Sequence, residues 1–102
     1  MSTKVKNIST SQAFKGKPRP TFGSVLRAWR LAEELNQSQM AKLLGISRAN
    51  LCDIEKGRKL PSPSRAVKIA SKLGMLEPHA VELVLQDTLD KEHIKLKVTV
   101  AV

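Results

Sequence analysis

The chain has 102 residues, 41% hydrophobic and 26% charged, with 18 Lys and Arg against 9 Asp and Glu for a formal net charge of +9. That describes one small domain with apolar material for a modest core, which excludes wholesale disorder and points to a polyanionic partner. No run of 18 apolar residues offers a membrane span, no apolar leader follows Met1, and Cys52 stands alone, so a reducing cytoplasm is the expected location.

Residues 1–20 carry five cations and no acid. They lack an apolar period and read as a flexible basic arm. The Lys17-Pro18-Arg19-Pro20 stretch resists helix and should be extended. Such an arm either reaches a minor groove or serves as a solubilising tail. Residues 21–75 carry ten cations and four acids, whereas residues 76–102 carry three and five. The cationic surface therefore belongs to the first three quarters of the chain.

Helical spacing dominates residues 21–90. Thr21 caps a helix whose stripe is Phe22, Val25, Leu26 and Trp29, running to about Leu35. Trp29 lies on that stripe and reads as core. Asn36 caps a second helix, Gln37–Leu44, with Met40, Ala41 and Leu44 inward, and Gly45 ends it. Ser47 caps a third, Arg48–Lys56, with Leu51 and Ile54 inward and Gly57 as its stop. A basic, proline-rich loop, Arg58–Pro63, follows. Ser64 caps a fourth helix to Leu73, with Ala66, Ile69 and Ala70 inward. Glu77-Pro78 opens a fifth to about Asp90, with an apolar face wider than a small core needs.

The informative segment is Leu35–Gly57. A helix, a tight turn containing Gly45 and a short second helix make a helix-turn-helix unit. Small Ala41 lets the two helices approach, and Ile46, Leu51 and Ile54 fix the second. Its outer face is then Arg48, Ala49, Cys52 and Asp53, flanked by Asn50 and Lys56. No bulky apolar group stands there, which suits a wet groove about 12 Å wide.

These residues resemble the lambda-repressor-like (XRE/Cro) helix-turn-helix family. The likeness rests on the Asn36-Gln37 opening, Ala41 and Gly45, Ser47-Arg48 at the start of the second helix and Ile54-Glu55-Lys56-Gly57 at its end. It covers about residues 22–76 and implies a five-helix DNA-binding domain, so the expected fold is mainly α, with the flexible N-terminal arm and a C-terminal β-strand read from the flanking segments. It also implies a sequence-specific transcriptional repressor on double-stranded DNA, acting as a homodimer on a palindromic operator. Gln37 would touch a phosphate and brace a side chain of the reading helix. Ser47, Arg48, Ala49 and Asp53 would face base edges. Arg48 suits guanine O6 and N7, with a phosphate contact as its plainer role, and Ala49 suits a thymine methyl. Asp53 either accepts from cytosine N4 or holds Arg48 in place. Asn50, Lys56, Arg58 and Lys59 would contact the backbone, setting affinity and salt dependence. Arg30 and Glu55 match a pair that forms an internal salt bridge in this family.

The period changes at the C-terminus. Ile94, Leu96, Val98, Val100 and Val102 alternate with polar or small residues, as in a strand with one apolar face. Something must cover a lone strand in the segment 91–102. The same strand of a second subunit, the sheet edge of another protein, or residues 4–8 of the same chain would each do so. The ending resembles the small antitoxins of toxin–antitoxin pairs, which repress their own operon and neutralise a toxin. That implies an autoregulatory role and a cognate toxin as partner.

Other chemistry finds little support. Two histidines, His79 and His93, stand alone, and five glycines form no phosphate loop. Neither catalytic residues, nor a metal site, nor a cofactor is expected, and no membrane is expected as partner. Cys52 reads as a small residue on the reading face, with a redox role as the less favoured alternative.

Overall fold

A computed structural model describes residues 2–6 and 19–101. The order is β1 (Ser2–Lys6), α1 (Phe22–Ala32), α2 (Gln37–Leu44), α3 (Arg48–Glu55), α4 (Pro63–Leu73), α5 (Glu77–Lys91) and β2 (Lys97–Ala101). Among the described residues the chain is mainly helical, with five helices around one core. Met1 and residues 7–18 of the expected arm, and Val102, lie outside the described residues.

Local chemistry sets the helix starts. The Thr21 hydroxyl accepts from the Ser24 amide, and the Ser24 hydroxyl accepts from the Thr21 amide, so two orphan donors are satisfied reciprocally. Asn36 and Gln39 repeat that box at α2. Ser47 caps α3 through the Asn50 amide. Gly45 and Gly74 end α2 and α4 at φ 69° and 74°, a left-handed geometry that costs glycine nothing.

Three boundaries differ from the sequence reading. The first helix stops at Ala32, because the chain turns out through Glu34 at φ 57° and the Arg30 guanidinium takes the Leu35 carbonyl at 3.0 Å. The fourth is capped by Ser62 rather than Ser64, because Pro63 fits the first helical position and the Ser62 hydroxyl accepts from the Arg65 amide. The strand begins at Lys97, so Ile94 and Leu96 fall in the preceding turn, where His93 is left-handed.

The core gathers one face of every helix. Phe22, Leu26, Met40, Leu51 and Val84 are fully enclosed, and Ile54, Ile69, Ala70 and Leu83 are buried beside them. Each large side chain so enclosed contributes about 1.5–3 kcal/mol. Trp29 is half-buried against this cluster. Arg19 extends the body on the N-terminal side. Its guanidinium forks between Asp87 and Asp90 of α5, and the Asp87 carboxylate also accepts from the Phe22 amide at 2.9 Å. Arg19 is therefore anchored to the helical body although it falls inside the stretch read as arm, because two carboxylates one helical turn apart hold that cation.

The tail is covered from within the chain. β1 and β2 pair antiparallel, with Val5 opposite Val98 and Thr3 opposite Val100. Of the three coverings open to the sequence, this is the fold-back beside the N-terminal segment. Val98 and Val100 are buried, and the other edge of β2 is held by α5. Gln86 donates to the Leu96 carbonyl and accepts from the Val98 amide, while Glu82 accepts from the Val100 amide. Among the described residues no helix is long and apolar enough to cross a membrane.

Candidate nucleic-acid interface

The interface is built outward from a buried ion pair. Glu55 ends α3 with its side chain 1% exposed. It accepts from Arg30 Nε at 2.8 Å and Nη2 at 3.0 Å. A fork of two parallel bonds fixes angle as well as distance. The bond to Glu55 holds the Arg30 guanidinium above arginine's ordinary value, against a smaller opposing effect of burial. Arg30 therefore remains a cation. Gln37 adds a third donor to Glu55 at 3.3 Å, linking the start of α2 to the end of α3. The brace expected of Gln37 is thus present, and it acts on Glu55.

Glycine 23 fixes how closely α1 meets α3. A Cβ there would lie 2.2 Å from the Ile54 carbonyl oxygen and 2.8 Å from that of Glu55. Only glycine lets the first turn of α1 lie against the last turn of α3. Sequence reading passed over Gly23. The signal was there, since a glycine inside a helix weakens it unless a close approach needs the space. Lys72 was passed over too. Its ammonium donates to the Leu44 carbonyl at 3.1 Å, which ties α4 to the end of α2.

With its rear fixed, α3 presents an outer face to solvent. Ser47, Arg48, Ala49 and Lys56 are exposed, whereas Asn50, Cys52 and Asp53 are half-buried. Asp53 does not hold Arg48. Its carboxylate accepts from Arg58 Nε at 2.9 Å, because Gly57 at φ 77° turns the chain so that Arg58 folds back over α3. The same guanidinium reaches Cys52 Sγ at 3.7 Å through Nη2. The bond to Asp53 raises the Arg58 guanidinium above its ordinary value, against a smaller effect of desolvation. The Lys59 ammonium bonds the Asn50 side-chain oxygen. Seven of the nine residues expected at DNA thus lie on α3 or the loop after it, Ser47 caps the start of α3, and Gln37 lies behind them on Glu55.

The five strand residues are placed differently. Val98 and Val100 are buried, Leu96 is half-buried and Ile94 is 42% exposed, while Val102 is outside the described residues. His79 and His93 are exposed, and among the described residues no three His, Cys, Asp or Glu side chains gather to hold a metal ion.

A short helix held against its neighbour by a left-handed glycine turn, with a polar outer face bordered by cations, is a helix-turn-helix unit. Proteins with this unit place the second helix in the DNA major groove. The Helix-turn-helix family profile matches residues 26–79, more than half of the sequence, and the chain belongs to that family. It is 46% identical over 49 residues to the 10 kDa protein of the ImmF control region of Bacillus phage phi105, covering 48% of this chain and 54% of that protein. It is 42% identical over 50 residues to an uncharacterized HTH-type transcriptional regulator of Methanocaldococcus jannaschii, covering 49% of this chain and 76% of that protein. The chain thus spans about half the length of the phage relative. No solved structure matches it.

Proposed function

We propose that this chain is a sequence-specific transcriptional repressor that binds a palindromic operator near its own gene as a homodimer. The observation that carries this is the outer face of α3. Arg48 and Ala49 are exposed there, cations flank them, and the Arg30–Glu55–Gln37 lock holds the helix from behind. Phosphate contacts by Lys56 and Lys59 supply affinity, and base-edge contacts from Ser47, Arg48 and Ala49 supply choice. Two copies related by a two-fold axis read half-sites about one helical turn apart, and occupancy blocks polymerase. The relatives' names, a control-region protein and a transcriptional regulator, favour regulation over packaging. We read the chain as a cytoplasmic binding protein that carries out no chemistry.

The test is binding to a duplex from upstream of the gene and to a scrambled duplex of equal length, at about 0.15 M salt. A preference of about a thousandfold or more supports the reading. Equal, salt-sensitive binding to both sinks it. Analytical ultracentrifugation on the operator gives the stoichiometry, and one copy per site refutes the dimer.

A second reading is of antitoxin type and rests on β2. Its strand is anchored to α5 on one edge, so a partner protein's strand has a fixed template if it takes the place of β1 on the other. A cognate toxin is the partner proposed. Copurification of the product of an adjacent gene, lost when residues 91–102 are removed, is the expected outcome. Retention after that truncation refutes it.

A further inference from the structure

Arg58 lies outside the reading helix and would ordinarily count as a backbone anchor. Its geometry is that of a reader. Gly57 sends the chain back along α3, and the Arg58 side chain lies on the outer face rather than pointing away along the loop. Two of its five N–H groups are engaged, Nε with Asp53 Oδ1 at 2.9 Å and one on Nη2 with Cys52 Sγ at 3.7 Å. The end of the fork keeps both Nη1 hydrogens and the second Nη2 hydrogen. The outward hydrogens of Nη1 and Nη2 among them are the parallel donors that pair with guanine O6 and N7.

Asp53 supplies the second half of the argument. A carboxylate on a face that meets phosphates is repelled unless a cation neutralises it. Arg58 does so, and the carboxylate in turn fixes which edge of the guanidinium is presented. Water reaches both side chains, which are 57% and 37% exposed, so the pair adds little to stability. It spans no core and joins no two helices.

We infer that Arg58 reads a guanine in the major groove with the end of its guanidinium, and that Asp53 is the positioning residue that aims it. The inference rests on the proposed DNA reading and adds a specificity determinant from outside α3. It predicts a second guanine contact in each half-site, distinct from that of Arg48.

The experiment is selection from a randomised duplex library with the full chain, followed by sequencing, for wild type, Arg58→Ala, Arg58→Lys and Asp53→Asn. Salt titrations on the winning duplex accompany it, and thermal melting checks that each variant folds. The expected result is a G·C column that vanishes in Arg58→Ala while the other columns persist. Affinity for the winning duplex falls about 5- to 150-fold. Arg58→Lys keeps the charge and the salt slope but loses the same column, since an ammonium offers no fork. Asp53→Asn flattens that column alone. Unchanged columns in all three variants, with a salt slope lowered by about one in Arg58→Ala, make Arg58 a phosphate anchor and overturn the inference. A wild type that enriches no sequence overturns the DNA reading itself. A wild type with a sharp motif and indifferent variants overturns this inference alone.

Discussion

Glu55, at the last turn of α3, takes a two-bond fork from Arg30 of α1 at 2.8 and 3.0 Å, and its carboxylate side chain is 1% exposed. The pair couples the stability of the domain to the pose of its reading helix. Arg30→Ala strands a buried carboxylate with Gln37 as its remaining side-chain donor, at a cost of about 3–5 kcal/mol. Urea unfolding measures it. Replacing both partners, as in Arg30→Met with Glu55→Leu, removes two desolvated charges together and costs less than the single change. A double change as damaging as Arg30→Ala would show that the fork itself, and not the orphaned charge, carries the energy. The sign of the pH effect follows from the raised Arg30 value. Its gain is fully present below arginine's unfolded value and fades only as pH rises through the folded one, so Arg30 adds no slope to stability between pH 6 and 9 on ordinary titration ranges.

Gly23→Ala tests the close approach of α1 and α3. In an open helix the change would stabilise by up to about 1 kcal/mol. Here the added carbon would sit 2.2 Å from the Ile54 carbonyl oxygen, so backbone must move. The expected net effect is destabilisation by about 1–3 kcal/mol, read as a lowered Tm. Because the obstacle is the end of α3, DNA affinity should fall more than at a surface control such as Ser38→Ala. A raised Tm would mean that the two helices stand further apart than described.

The parts legible in the sequence were those with local causes. Asn36, Gly45 and Ser47 each act within four residues of themselves, and the two helices they bound, Gln37–Leu44 and Arg48–Glu55, lie as read to within one residue. Ser62 and Ser64 flank the same proline, and periodicity does not choose between them. The preference of Pro63 for the first helical position does. Arg19 finds its carboxylates 68 and 71 positions away, which no window along the chain reveals. Gln86 and Glu82 read as polar positions on an overly apolar helix. Their function appears only once β2 lies beside them.

The carboxylates of α5 give an ordering. Asp87 accepts from both Arg19 and the Phe22 amide, whereas Asp90 accepts from Arg19 and Gln86. Asp87→Ala removes a backbone cap from α1 as well as an ion-pair partner. Caps of this kind contribute about 0.5–2 kcal/mol. Asp87→Ala should therefore unfold at lower urea than Asp90→Ala. The reverse order would show that the Phe22 amide finds water instead.

Arg48 and Lys59 separate choice from affinity under the proposed function. Arg48→Ala should lose about 1–3 kcal/mol on the operator and relax preference at one base pair. Lys59→Ala should weaken all duplexes alike and lower the salt slope by about one. In the unbound chain Lys59 bonds Asn50, so that bond must open or turn before a phosphate is met. Asn50→Ala then leaves Lys59 unrestrained, and its operator affinity should change less than that of Lys59→Ala. Fluorescence anisotropy across a salt series measures all three. Uniform weakening by Arg48→Ala would reduce that residue to a phosphate contact.

The tail offers a test of which neighbour holds it. In an antiparallel ladder, successive amides along a strand point to opposite edges. The Val98 and Val100 amides go to Gln86 and Glu82 on α5, which leaves those of Lys97, Thr99 and Ala101 for β1. Hydrogen exchange distinguishes the two sets. Gln86→Ala should speed exchange at Val98, with Leu83 and Val84 in the core unchanged. Deleting residues 1–6 should speed exchange at Thr99 and spare Val98. If that deletion exposes both sets together, β2 depends on β1 for its place. A partner strand could not then substitute for β1 on a fixed template, and the antitoxin-type reading would lose its structural basis.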